Sequence, residues 1–100
     1  MFYIYILFSP SSGIYYTGYS EDPYKRLLEH NSKEEGTFSS KHKPWTIKAI
    51  FEAGTKSEAI TFERFIKKQR SPKLISKLID PTFTMVGTLA KLVRVPDIRD

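Results

Sequence analysis

The sequence predicts an α+β fold: a small three-stranded, mainly antiparallel sheet flanked by helices, in the order β-β-α-β-α-α. Three observations carry this. Two runs rich in β-branched and aromatic residues, FYIYILF (2–8) and IYYTGY (14–19), stand on either side of SPSSG (9–13), a turn by composition, and together they make a hairpin. A third such run, WTIKAIFEA (45–53), lies between helical stretches. Each helical stretch opens on a recognisable cap.

Taken in order, the first run is continuous in β-formers and predicts a strand buried on both faces. In the second, Tyr15 and Tyr16 must point to opposite faces because strand side chains alternate. Gly18 inside it marks a bulge or a close approach. Asp22-Pro23 starts a helix, with Asp as N-cap and Pro in the first turn, running to about Lys33. Tyr24, Leu27 and Leu28 share one face at helical spacing. Asp22, Arg26 and His30, at i, i+4 and i+8, are expected on roughly the opposite side, away from the leucines.

Residues 32–44 (SKEEGTFSSKHKP) are polar and contain Gly and Pro, so a loop is expected. In the strand that follows, Ile47 and Ala49 alternate with Lys48, which suggests one wet face. Thr55 and Glu58 have the spacing of a capping box and open a helix to about Arg70. Ser71-Pro72 caps a shorter helix to about Ile79, and Asp80-Pro81 ends it. Residues 1–79 are thus the expected domain and 80–100 an extension without a predicted structure. Its TFTMVGTLAKLVRV segment fits either a hairpin about Gly87 or a loose extension.

One hundred residues, 40 % of them apolar, suit one domain with one modest core. No apolar run approaches a membrane span, and MFYIYILF lacks a basic start and a small-residue cleavage site, so it is expected to be a strand rather than a signal peptide. There is no cysteine. That excludes disulfides, thiolate nucleophiles and cysteine-ligated zinc, and it fits a cytoplasmic setting. The net charge of +5 is uneven: residues 41–77 hold ten Lys and Arg against three Asp and Glu. Such a local excess points to an anionic partner, nucleic acid above all.

Glu63 is the chemically conspicuous acid. Its helical neighbours Ala59, Ile60 and Ile66 are apolar, and Lys67 follows one turn later. A carboxylate at the margin of an apolar stripe must be paired, protonated or bound to a cation. A Glu63–Lys67 surface pair is one solution and a metal ion another. A phosphate-cradling Gly-rich loop, a paired-His metal motif and a serine elbow are all absent from the sequence.

YIYIL (3–7), YYTGYSEDPYKRLLEHN (15–31), KPW (43–45) and SEAITFERFIKKQRSPKLISKLI (57–79) together resemble the GIY-YIG nuclease superfamily, in particular its small single-domain bacterial members. The second segment is the specific one: Tyr-x-Gly, a short loop, then Arg and His four apart. The resemblance assigns Tyr16-Thr17-Gly18 to the second signature tripeptide and Tyr3-Ile4-Tyr5 to the first, with Tyr5 eleven residues before Tyr16. The literal Gly13-Ile14-Tyr15 is then only the turn leading into the second strand.

That resemblance implies a divalent-metal-dependent endonuclease that hydrolyses phosphodiester bonds, DNA being the favoured substrate. It implies Tyr5, Tyr16, Arg26 and His30 as catalytic residues and Glu63 as ligand of one weakly held Mg²⁺ or Mn²⁺. Lys41 or His42 falls near a basic site residue of some members. Tyr5 would act as general base or only orient the attacking water; a phenol needs cationic neighbours to serve as a base near neutral pH. Lys41, His42, Lys67, Lys68, Arg70 and Lys73 would contact phosphates without reading bases. Two other readings fit the same residues: a nucleic-acid-binding module of this fold without cleavage, and a subunit active only with a protein partner held through 80–100.

Overall fold

The computed structural model describes residues 1–32 and 38–98. The two N-terminal strands, β1 (Phe2–Ser9) and β2 (Ile14–Ser20), form the expected hairpin in uninterrupted antiparallel register, with Tyr5 opposite Gly18 and Leu7 opposite Tyr16. Gly18 therefore marks a close approach and not a bulge. Helix α1 (Pro23–Ser32) follows; Asp22 accepts from the Lys25 amide and caps it as the sequence predicts. Next come a short helix α2 (Phe38–Lys41), strand β3 (Thr46–Gly54), helix α3 (Lys56–Gln69) and helix α4 (Pro72–Ile79). The Thr55–Glu58 capping box is complete, with both reciprocal bonds in place, and Ser71 caps α4. Lys33 and the rest of the expected loop up to Thr37 lie outside the described residues. The remainder of that loop is not wholly irregular, since α2 falls within it.

Among the described residues the sheet has four strands, not three, in the order β2-β1-β3-β4. The fourth, β4 (Val93–Arg94), pairs antiparallel with the far side of β3. A two-residue strand has no period to detect, which is why the pattern does not reveal it. Residues 80–98 form neither a hairpin about Gly87 nor a loose extension. They make a 3₁₀ turn (Gly87–Lys91) and then β4, and they send Leu89 and Leu92 into the core.

Helices cover both faces of the sheet. On one, Ile4, Ile6, Ala49, Phe51 and Ala53 pack against Ala59, Phe62 and Ile66 of α3, Leu78 of α4, and Leu89 and Leu92. On the other, Tyr5, Leu7, Ile47 and Ile50 pack against Leu27 of α1 and Trp45. The expected wet face of β3 does not exist. Leu7 pairs with Ile47 while Ile6 pairs with Ala49, so Lys48 is bulged out of the ladder. The bulge resets the alternation: Ile47 and Ala49 go to opposite cores and Lys48 to solvent.

The buried face of α1 is also rotated from expectation. Pro23, Leu27 and His30 are buried, and Leu28 is exposed. His30 therefore points into the protein and not with the solvated face. Its polar edge meets a tyrosine hydroxyl there, and this satisfies it as leucine could not.

Candidate active site

Among the described residues strand β2 is an outer strand of the sheet, and there side chains from the two opposing layers meet. A cleft of about 510 Å³ is lined by Tyr5 and Tyr16 from the hairpin, Arg26 from α1 and Glu63 from α3, with Glu21 and Lys56 at its margin. Tyr5 is fully buried on β1, yet its ring runs beneath β2 to reach this cleft. A Cβ built on Gly18 would lie 2.4 Å from Tyr5 Oη and 2.5 Å from Cζ. Glycine is required at this point by the close approach and not by a turn.

Tyr5 Oη is 3.2 Å from His30 Nε2. The ring of His30 sits edge-on to Tyr16 at a centroid distance of 4.9 Å, and the two tyrosine rings are 6.3 Å apart. Burial pushes the Tyr5 phenol up to about 12; the neighbouring Arg26 guanidinium opposes that shift without cancelling it. The reciprocal effect keeps Arg26 firmly charged, through its hydrogen bond to Tyr5 first and then its proximity to Glu29, whose Oε1 is 3.4 Å away.

Glu63 has a side chain 17 % exposed, opening on the cleft. Lys67 Nζ lies 3.7 Å from Glu63 Oε2 and 5.2 Å from the centre of the Tyr16 ring. One of the two solutions expected for this carboxylate is present, a loose pair with Lys67, and the carboxylate lines the cleft beside the tyrosines. The donor set suits one hard cation held weakly, with water and phosphate oxygens completing the shell. Among the described residues no three His, Asp or Glu gather into a dedicated metal cage.

Four of the sequence-predicted site residues, Tyr5, Tyr16, Arg26 and Glu63, line one cleft. His30 stands behind it, against Tyr5. Lys41 and His42 are not brought there: Lys41 is exposed at the end of α2, and His42 Nδ1 is 2.7 Å from Ser12 Oγ in the hairpin turn. Lys68 and Lys73 are exposed on α3 and α4. Arg70 ends α3 in the left-handed region, φ 46°. Lys56 is the lining cation that the sequence pattern does not single out; its place just after the Thr55 cap is the one available signal.

The fold and the cleft together are those of a nuclease-superfamily domain. More particularly, residues 1–76 match the family described as the GIY-YIG catalytic domain, and the chain belongs to that family. It is similar to a UPF0213 protein of Halobacterium salinarum, 34 % identical over 68 % of this chain and 87 % of the relative. A UPF0213 protein of Staphylococcus saprophyticus is 35 % identical over 75 % of this chain and 94 % of its own. A solution structure of a UPF0213 protein from Bacillus halodurans aligns with a TM-score of 0.49 at 28 % identity, covering 81 % of this chain and 89 % of that one. No helix among the described residues is long and apolar enough to cross a membrane.

Proposed function

We propose that the protein is a divalent-metal-dependent endonuclease that hydrolyses DNA phosphodiester bonds in the β2-edge cleft. The observation that carries this reading is the convergence of Tyr5, Tyr16, Arg26 and Glu63 on one cleft from four different elements. Arg26 binds a non-bridging phosphate oxygen through its rigid fork of donors, which gain strength as charge builds on the phosphate. Tyr5 takes a proton from the attacking water. Its own high pKa makes it a poor base alone, so the hydroxyl proton passes to His30 Nε2 as the phenolate forms. Tyr16, its ring 6.3 Å from that of Tyr5, orients the water or the phosphate. Glu63 would hold a Mg²⁺ or Mn²⁺, which would supply Lewis-acid neutralisation of the charge that develops on the phosphate. The basic side chains of α3 and α4, among them Lys67, Lys68, Arg70 and Lys73, supply affinity for the backbone.

The test is direct. Purified protein is incubated with Mg²⁺ or Mn²⁺ and plasmid, branched or single-stranded DNA, beside Glu63→Gln and Arg26→Ala. Metal-dependent nicking that both substitutions abolish is expected. No nicking on any substrate, or equal nicking by the variants, sinks the proposal. The Glu63–Lys67 pair favours one alternative, a binding module without cleavage. That alternative gives salt-sensitive DNA binding indifferent to metal and to Glu63.

A further inference from the structure

A second groove, of about 670 Å³, opens beside the cleft and shares Tyr16 with it. Its walls are Tyr16 and Phe38 on one side and Ile66, Lys67, Arg70 and Ile75 of α3 and α4 on the other. We propose that this groove is a nucleobase subsite that takes an unpaired nucleotide adjoining the scissile phosphate, so that the preferred substrate is single-stranded or locally unpaired. The inference rests on the nucleic-acid reading of the neighbouring cleft and goes beyond it by naming the form of the substrate.

Three features of the groove fit that occupant. First, its chemistry is apolar and aromatic with two cations, and no acidic side chain lines it among the described residues. That is the composition of a stacking platform beside a phosphate contact. An apolar peptide would use the walls but leave both cations unmatched. Second, Phe38 is 55 % exposed, with its ring 6.5 Å from Tyr16 and 4.7 Å from His42. It is thus an accessible aromatic ring in the lining of the groove. A base inside a duplex has both faces covered by neighbouring bases, so only an unstacked one can lie against such a ring. Third, Arg70 ends α3 at φ 46° and ψ 43°, a conformation that glycine adopts more readily. Arginine adopts it at a backbone cost, and Arg70 lines the groove. Lys67 reaches both compartments, since it touches Glu63 of the cleft and the Tyr16 ring. A strand held on Lys67 and Arg70 is therefore continuous with one held on Arg26.

The experiment measures fluorescence anisotropy in EDTA, so cleavage plays no part. The probes are a labelled oligothymidylate, a blunt duplex of equal length and an equal-length abasic strand. The proteins are wild type, Arg70→Gly, Phe38→Ala and Phe38→Leu. Arg70→Gly suits the left-handed position and is expected to melt no lower than wild type. Phe38→Leu keeps apolar bulk and removes the stacking face. We expect the Phe38 variants to bind oligothymidylate about tenfold more weakly, with little change on the duplex, and Arg70→Gly to lose about tenfold on oligothymidylate and a smaller part of its duplex affinity. Phe38→Leu should bind the abasic strand as wild type does. Variants that bind oligothymidylate within about twofold of wild type, or Phe38 variants that lose duplex affinity equally, overturn the subsite and leave the endonuclease reading standing. A wild-type protein that binds none of the three probes overturns both.

Discussion

Tyr5 and Gly18 face each other across the β1–β2 ladder, and the tyrosine ring occupies the space where any side chain at position 18 would begin. The pair is one structural unit. The glycine is what lets a fully buried phenol reach the cleft at the sheet edge. Gly18→Ala is expected to cost about 1–3 kcal/mol, the range for overpacking a tight core. It should also cut cleavage far more than that stability loss explains, because Tyr5 Oη is displaced from His30 and Arg26. A double-mutant cycle with Tyr5→Leu, read by urea unfolding, should show strong non-additivity, since the clash vanishes once the ring is gone. Additive costs would show that the two positions do not compete for space.

The high pKa of Tyr5 makes a pH prediction. Burial holds the phenol protonated to about 12 in the folded chain, whereas a tyrosine in the unfolded chain ionises near its ordinary value of 10.0. Between those values the unfolded state has lost a proton that the folded state keeps, so stability falls as pH rises. The contribution is intact below about pH 10 and is lost by about pH 12, and is worth roughly 2–3 kcal/mol. Subtracting the Tyr5→Phe stability curve from that of wild type isolates this group from the other tyrosines. A flat difference across the window would show that Tyr5 ionises as freely as an exposed phenol.

A cation held on Glu63, as proposed, would compete with Lys67 for the carboxylate. Removing the ammonium 3.7 Å from the carboxylate should raise metal affinity. Titration of Mn²⁺ into the DNA-free protein, followed by electron paramagnetic resonance, is expected to show tighter binding in Lys67→Met, by a fewfold, and none in Glu63→Gln. Equal binding in wild type and Glu63→Gln would place the metal elsewhere.

The C-terminal segment should matter to stability. Leu89 and Leu92 are buried against the same core as Phe51 and Phe62. Leu92→Ala is expected to cost about 2–5 kcal/mol, as for other buried leucines. A chain ending at Ile79 should lose cooperative unfolding, since β3 then exposes an edge and the core two leucines. A truncated chain that unfolds as sharply as the full one would establish 1–79 as self-sufficient.

The elements with strong local signals were legible in the sequence. The hairpin, the Asp22 cap, the Thr55–Glu58 capping box and the Ser71-Pro72 helix start are all set by residues close together in the chain, and each lies where the pattern puts it. The order Tyr5, Tyr16, Arg26, His30, Glu63 was visible too, as was the division of Tyr15 and Tyr16 between opposite faces. Tyr15 stacks on Phe8 at 4.8 Å while Tyr16 turns to His30.

What failed locally was phase. Helical spacing alone placed Leu28 inward and His30 outward, because spacing reports which residues share a face and not which face has something to pack on. His30 is inward because Tyr5 offers its nitrogen a partner there. The Lys48 bulge likewise answers to the pairing with β1, and β4 is too short to carry a period.

The sequence by itself thus determined the family, the order of the first three strands and the three longer helices, and the positions of the candidate site residues along the chain, because those depend on residue identity and short-range spacing. Only the tertiary structure decided that Tyr5, Tyr16, Arg26 and Glu63 share one cleft, that His30 backs Tyr5, that Lys41 and His42 stay outside, and that Leu89 and Leu92 help to close the core. These are outcomes of packing between segments far apart in the chain. There the free energy comes from buried area and from satisfying polar groups, and no local pattern encodes it.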